Sequence, residues 1–233
     1  MTYLKRLLFV ITMLSSTLFA DNGFELFINL PIGLNLDTNP NYEIKTDRIN
    51  KYLGKVKAGL DTGIGIQLGY SKKINTNFSF NLLGNIAYNY TLCYIDNLNY
   101  QGSGKNYLQE IHYYINNIKI GIAPKLNHNN FSYTLGFGII IPLNIDELRI
   151  INDNNYIYKA QRISALPFSI YTDFAFDYSF FLTEKIAVTI GAYTGLDIYD
   201  TVKSKAFPQS EVQLLVWTLG IRFGFRFAPY NFY

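Results

Sequence analysis

The sequence separates into two faces when alternate residues are compared. Between residues 60 and 70 the even set is almost entirely apolar: Leu60, Thr62, Ile64, Ile66, Leu68 and Tyr70. The odd set is small and polar: Asp61, Gly63, Gly65, Gln67 and Gly69. Successive side chains of a β-strand point to opposite sides, so this pattern predicts a strand with one apolar face. The pattern recurs in eight segments: residues 24–36, 56–70, 78–94, 111–126, 131–142, 164–180, 185–199 and 212–227.

Charged residues within these segments fall on the polar face. Apart from lysines at the segment edges, they are five acids and four bases: Glu25, Asp61, Lys119, Lys125, Asp173, Asp177, Asp197, Arg222 and Arg226. The rest of that face is mostly Gly, Ser, Asn and Thr, whereas a face in bulk water would carry many Lys and Glu. A secreted soluble barrel such as a lipocalin, the alternative, would turn its apolar face inward. The composition favours a polar lumen and a lipid-facing apolar exterior.

The connections predict how the strands are joined. Each segment exceeds the ~9–11 residues that a tilted strand needs to cross a bilayer. Short connections (SKKINTN, NHNN and residues around 182–184) alternate with long ones at 37–55, 95–110, 143–163 and 200–211. This layout is typical of an eight-stranded antiparallel transmembrane up-and-down β-barrel. With an even strand number, both termini lie at the rim of the short turns.

The N-terminus predicts export. Lys5 and Arg6 precede an apolar run over residues 7–14, which is too short to span a bilayer as a helix. Ala20 is a small residue suited to the position before a cut. Residues 1–20 are therefore interpreted as a signal peptide and 21–233 as a single barrel domain. The alternative is a buried hydrophobic N-terminal helix.

Composition excludes several classes of site. Cys93 is the only cysteine, so neither an internal disulfide nor a zinc site built on cysteine pairs is possible. A net charge of +3 without a recognisable motif gives no indication of nucleic-acid binding. Aromatic residues cluster near the strand ends, as expected for interfacial girdles: Tyr70, Phe78, Phe131, Tyr133, Tyr178, Phe180 and Phe225 near the short turns, and Tyr90, Tyr94 and Trp217 near the long loops.

The signal peptide, the eight alternating segments and the closing strand LGIRFGFRF resemble small outer-membrane barrels of the OmpA/OmpX type. Phe223, Phe225 and Phe227 are similar to the aromatic signal read by the barrel-assembly machinery, although APYNFY follows them. The resemblance implies insertion into a bacterial outer membrane, among lipopolysaccharide-type lipids, with the long loops outside the cell. Such barrels include adhesins, structural proteins, narrow channels and a few lipid-modifying enzymes, so the fold does not select a function.

The lumen of an eight-stranded barrel is just wide enough to be filled by side chains. The nine charges are therefore expected to pair, with Arg222 and Arg226 approaching Glu25 across the closing seam. Asp173, Asp177, Lys119 and Lys125 are expected to face one another across the lumen. A structural plug is the favoured interpretation of this network, and an ion pathway is the alternative.

The long loops are the predicted interaction site. Residues 147–151 and 156–160 flank Asn-Asp-Asn-Asn, which predicts a β-hairpin above the membrane. Its edge could recruit a partner strand, with Tyr156 and Tyr158 as exposed aromatics. Arg48 and Lys51 give the first loop a mildly basic surface suited to lipopolysaccharide phosphates. The leading function is a structural or adhesive surface protein with an unknown extracellular ligand; a solvated loop without a partner is the alternative.

Candidate catalytic residues are scarce. His112 and His128 are the only histidines, and no serine lies beside His112. The Asp-Asp and Asp-His pairs of outer-membrane proteases are absent. No catalytic residue, cofactor or metal is therefore predicted, and a lipid-directed enzyme is the least favoured alternative. His128, in the NHNN turn, is expected to be solvated.

Overall fold

Eight long strands form the body of the protein. The computed structural model describes residues 23–37, 41–42, 52–53, 55–102, 105–151, 156–162, 164–165, 169–203 and 211–227. The predicted signal peptide and the basic pair Arg48 and Lys51 lie outside these residues. Within these ranges, no helix is long and apolar enough to cross a membrane. The strands are β1 (Phe24–Asp37), β2 (Lys55–Lys73), β3 (Phe78–Gly102), β4 (Lys105–His128), β5 (Phe131–Ile151), β6 (Ser169–Thr183), β7 (Ile186–Lys203) and β8 (Glu211–Phe227).

The strands close into a barrel. Each pairs antiparallel with its neighbours along the chain, in the order β1 to β8. The ring is closed by β1 and β8, whose register runs from Leu26↔Phe227 to Asp37↔Val216. This confirms the predicted eight-stranded antiparallel up-and-down β-barrel.

The apolar face of the strands points outward. On β2, Ile64, Ile66 and Leu68 are 46–53% exposed, whereas the intervening Gln67 is 3% exposed. The same alternation of exposed apolar and buried residues is found on all eight strands. A contiguous apolar surface of this extent is rare on soluble monomers and matches the band that contacts lipid in membrane barrels. The lipocalin-like alternative, with its apolar face inward, is therefore wrong.

The upper parts of β3 and β4 differ from the prediction. Residues 95–110 were expected to form a long loop, but β3 and β4 remain paired from Ile95↔Ile111 to Gly102↔Lys105. The stretch contains Leu98, Tyr100 and Tyr107, and such apolar and aromatic residues are compatible with a pleated sheet. The sixth predicted strand is shorter at its start: Ser169 begins β6, and Ser164–Ala165 pairs instead with β7.

A shorter strand, Tyr156–Arg162, extends the sheet on the side of the long loops. It pairs with upper β5, from Asp146↔Arg162 to Ile151↔Tyr156. This pairing confirms the predicted hairpin around residues 152–155. In the first loop, Asn41–Tyr42 pairs with Tyr52–Leu53.

A β-bulge at Leu143 exchanges the two faces of β5. The register to β4 shifts from Asn117↔Pro142 to Asn116↔Asn144, which leaves Leu143 as the extra residue. Bulges of this kind redirect the side chains that follow them. Ile140 is buried before the bulge and Ile145 after it, so Asn144 and Asp146 lie on the outer face.

Candidate functional site

Glu25, at the start of β1, is the centre of a buried charge cluster near the rim of the short turns. Lys125 Nζ lies 2.6 Å from its Oε1, and Arg226 Nη2 lies 2.9 Å from its Oε2. Asn81 Nδ2 also donates to Oε2. The Glu25 carboxylate therefore forms ion pairs with both buried cations. Such pairing offsets part of the free-energy cost of removing charged groups from water.

Hydrogen bonds extend this cluster around the wall of the barrel. The Arg226 guanidinium donates to Ser132 Oγ at 3.0 Å, Ser179 Oγ at 2.8 Å and Asn127 Oδ1 at 3.0 Å. Ser71 Oγ donates to Asn81 Oδ1 at 2.7 Å. The Arg226 fork thus bonds to groups from several strands, which suits a planar guanidinium with five donors.

Arg222 pairs with Asp177, not with Glu25 as the sequence suggested. Arg222 Nε and Nη2 donate to the two Asp177 carboxylate oxygens at 2.7 and 2.5 Å. Gly191 of β7 lies between them, opposite Asp177 on one side and opposite Arg222 on the other. Because glycine has no side chain, the Arg222 guanidinium contacts the Asp177 carboxylate across Gly191. Arg222 therefore pairs with this nearby carboxylate and not with Glu25.

Phe27 places an aromatic ring among the charges. The ring is fully buried, with Lys125 Nζ 4.3 Å from its centroid and Arg222 Cζ 5.4 Å from it. Cations at such distances interact favourably with an aromatic face. A Cβ added to Gly224 would lie 2.4 Å from the ring, so the absence of a side chain at that position makes room for Phe27.

A second polar network lies nearer the long loops. Lys119 Nζ is 2.7 Å from Asp197 Oδ1, and Asp61 accepts hydrogen bonds from Thr91 Oγ1 at 2.7 Å and Tyr193 Oη at 3.1 Å. Asp173 lies against Gly136, where an added Cβ would be 2.5 Å from a carboxylate oxygen. The structure thus places all nine charged side chains on the inner face, and each of the four cations is paired with a carboxylate.

A group of buried apolar and aromatic side chains shares the lumen with these charges, with Ile140 opposite Lys119 and Val216 opposite Asp197. Sequence reasoning missed it, because the inner face was read as polar throughout. Following the alternation beyond the bulge at Leu143 would have revealed part of it, since Ile145 then joins Ile140 inside. The side chains of this group, each at most 2% exposed, are Cys93, Tyr113, Ile115, Ile140, Ile145, Tyr199 and Val216.

The inner glycines predict a contrast between two substitutions on β7. A Cβ at Gly191 would lie 2.2 Å from Asp177 Oδ1 and 2.4 Å from the Phe176 carbonyl oxygen, whereas one at Gly195 meets nothing closer than 3.6 Å. Gly191→Ala should lower the free energy of unfolding by about 1–3 kcal/mol through overpacking, and Gly195→Ala should not. Urea titration of the folded barrel in lipid measures both, and equal midpoints for the two variants would contradict this account.

The remaining predicted residues lie at the two rims. Phe223 and Phe225 are exposed on the outer face, and Phe227 is half-buried at the end of β8. Tyr156 and Tyr158 occupy positions opposite Ile151 and Arg149 in the sheet.

The two histidines lie at opposite ends of β4. His112 packs edge-on against Tyr94, with ring centroids 4.7 Å apart. The His128 ring stacks on the Phe78 ring, with the ring centroids 4.3 Å apart. The residue predicted to be solvated in the turn thus makes an aromatic contact at the end of β4. Among the side chains that the structure describes, no group of three His, Cys, Asp or Glu could hold a metal ion.

Comparison with known proteins concerns the fold. No protein-family model matches the chain, and no curated protein sequence matches it. Similar solved structures include Neisserial surface protein A, at 11% identity over 88% of this chain and 97% of that chain, with a TM-score of 0.39. The attachment invasion locus protein Ail of Yersinia pestis, in complex with the heparin analogue sucrose octasulfate, has 13% identity over 88% and 99%, with a TM-score of 0.40.

The outer membrane protease OmpT of Escherichia coli has 8% identity over 89% of this chain and 96% of that chain, with a TM-score of 0.48. Similarities at such low sequence identity carry no information about activity. That strand order, the closed antiparallel pairing and the outward apolar face give the chain the architecture of a small outer-membrane β-barrel of the OmpA/OmpX type.

Proposed function

We propose that the protein is an outer-membrane surface protein of structural or adhesive type, with a sealed lumen and an interaction site on its long-loop side. The filled interior carries the first part of this proposal. Each inner lysine and arginine is paired with a carboxylate, as in Lys125–Glu25 and Arg222–Asp177, and buried apolar side chains lie beside these charges. A conducting pore would need a continuous hydrated path, which these pairs and apolar side chains disfavour.

Location in an outer membrane is supported by the outward apolar face on every strand. The short turns at residues 74–77, 129–130 and 184–185 then lie on the periplasmic side, and the long β3–β4 hairpin lies outside the cell. The exposed phenylalanines of β8, including Phe223 and Phe225, are available for recognition by the barrel-assembly machinery during insertion.

A labelling experiment tests this orientation. In a Cys93→Ala background, Ala160→Cys in the strand Tyr156–Arg162 should react with a membrane-impermeant maleimide on intact cells. Glu184→Cys, in the short β6–β7 turn, should react only after the outer membrane is permeabilised. Labelling of Glu184→Cys alone on intact cells would invert the proposed topology, and labelling of neither site after permeabilisation would contradict exposure of both.

The sealed lumen predicts the absence of stable unitary conductance in planar bilayers. The purified protein should first show a shift on gels between unheated and boiled samples, because folded membrane barrels resist denaturation by detergent. Stable conductance steps that change in Arg222→Ala would establish a narrow channel and overturn the sealed-lumen proposal, since Arg222 lies in the inner wall.

The strand Tyr156–Arg162 is the proposed contact for an extracellular protein. It ends the described sheet, with β5 as the partner in its described pairing, so its other edge can accept a further strand. Its sequence, YIYKAQR, carries two cations, which favours an acidic extended segment as the partner. In the first loop, Arg48 and Lys51 remain proposed contacts for lipopolysaccharide phosphates.

A further inference from the structure

The outer surface of β3, β4 and β5 changes its chemistry on the loop side. Ile86, Ile120 and Ile139 form an exposed apolar row across the three strands. Three rows of a different kind lie above it. From the membrane side upward, the rows are Tyr90, Asn116 and Asn144; Leu92, Tyr114 and Asp146; and Tyr94, His112 and Leu148. We call these nine residues and Tyr88 the outer polar patch.

The bulge at Leu143 creates the polar part of this patch. Without the extra residue, Asn144 and Asp146 would face the lumen and Ile145 would face outward. With it, Asn144 and Asp146 lie outside, where Asn144 Nδ2 donates to Asp146 Oδ2 at 2.5 Å. Bulges that redirect side chains are common next to functional sites.

Hydrogen bonds and ring contacts hold the other groups in place. Tyr88 Oη donates to Asn116 Oδ1 at 2.7 Å, and Tyr94 packs edge-on against His112. Tyr90 is the register partner of Asn116 on β4. The patch therefore presents fixed aromatic rings beside an amide pair and a carboxylate.

The opposite wall of the barrel has no comparable surface among its described side chains. At the loop-side ends of β1, β7 and β8, the outward residues include the exposed Leu36, Ile198 and Trp217. Among the side chains that the structure describes, the polar rows are found on β3, β4 and β5.

We propose that the outer polar patch binds the sugar head group of a glycolipid whose acyl chains lie along the apolar rows beneath it. Aromatic rings stack on the C–H faces of a sugar, while amides and a carboxylate bond its hydroxyl groups. The ten residues of the patch include no Lys or Arg, while Arg162 and Lys57 occupy the register positions opposite Asp146 and Tyr94 on the neighbouring strands. Three rows on three strands span about 13 Å by about 10 Å, the size of a disaccharide.

Continuity with the apolar face favours a membrane lipid over a soluble glycan. Tyr88 belongs to the row immediately above Ile86, Ile120 and Ile139, so a head group on the patch leaves its chains against these isoleucines. The inference rests on the proposed membrane location, because only a barrel in a bilayer presents both surfaces to one lipid.

Native mass spectrometry of the full chain, released from a polyoxyethylene detergent, tests the site. Dodecyl maltoside has an uncharged disaccharide head, dodecylphosphocholine has the same chain without a sugar, and maltose has the sugar without a chain. Dodecyl maltoside should bind selectively. Its affinity should fall about tenfold in the double variant Asn144→Leu/Asp146→Leu, which loses the charged hydrogen-bonding group. Thr194→Leu, a polar outward position on β7, should leave the affinity unchanged.

Each other outcome overturns the assignment. Equal binding of dodecylphosphocholine would show that the chain is recognised without the sugar, and equal binding of maltose would indicate a soluble glycan. If the double variant does not fold, Asp146→Asn, which has the same shape, takes its place. An unchanged affinity of Asp146→Asn for dodecyl maltoside would show that the Asp146 carboxylate does not contribute to binding. A gel shift on boiling without selective binding would refute this inference alone, whereas the absence of the shift would refute the membrane barrel.

Discussion

Replacement of Glu25 by leucine is expected to lower the free energy of unfolding by about 3–5 kcal/mol, because it leaves buried cations without their anion. The carboxylate contacts Lys125 Nζ and Arg226 Nη2, and all three side chains are almost fully buried. Urea titration of the protein folded in lipid vesicles, followed by the gel shift between folded and unfolded forms, measures the loss.

Two further variants separate charge from shape in this prediction. Glu25→Gln keeps the size and an acceptor oxygen, and should still be strongly destabilised, because Lys125 and Arg226 then lack a counter-charge. Asp61→Asn should cost less, since the partners that hydrogen-bond to Asp61 are the neutral Thr91 and Tyr193. If Glu25→Leu unfolds at the same urea concentration as the parent protein, the cluster does not stabilise the barrel.

The outward apolar face predicts the second large effect. Ile66, near the middle of the exposed stretch of β2, is 48% exposed and would lie near the centre of a bilayer. Ile66→Arg should therefore destabilise the folded barrel by about 2–4 kcal/mol, the cost of an arginine at the membrane midplane. Refolding into lipid vesicles, measured by urea titration, gives this quantity.

A matched substitution at the rim provides the control. Ile74 is exposed in the turn after β2, at the edge of the proposed membrane zone. Ile74→Arg should cost about 0–1 kcal/mol, because arginine near the interface reaches water and head groups. A similar small cost at both positions would mean that the apolar face is not in lipid.

Alternation of residue types was sufficient to predict the main elements of the fold. In β2 every second residue from Leu60 to Tyr70 was assigned to the outside, and that is where the structure places Ile64, Ile66 and Leu68. A strand has a side-chain period of two, so a local pattern determines the faces without knowledge of the partners. The lengths of β3 and β4 were underestimated, because hairpin pairing up to Gly102↔Lys105 depends on contacts between strands.

The partners of the inner charges could be predicted only where the strands meet at the seam. Glu25 lies near the start of β1 and Arg226 near the end of β8, so both are at the same end of the closing pair and their contact follows from closure. The contact of Arg222 with Asp177 depends on Gly191 between them, and therefore on the register of three strands. Sequence spacing does not contain that register.

The alternation of residue types is enough to assign an apolar exterior and a small, polar interior, because that division depends only on the geometry of a strand. Which charges meet, where apolar side chains enter the lumen and where polar groups return to the outer face depend instead on how the strands pair. The bulge at Leu143 illustrates the reason: a single extra residue exchanges inside and outside for Ile145 and Asp146, and its position is set by the pairing of β5 with β4.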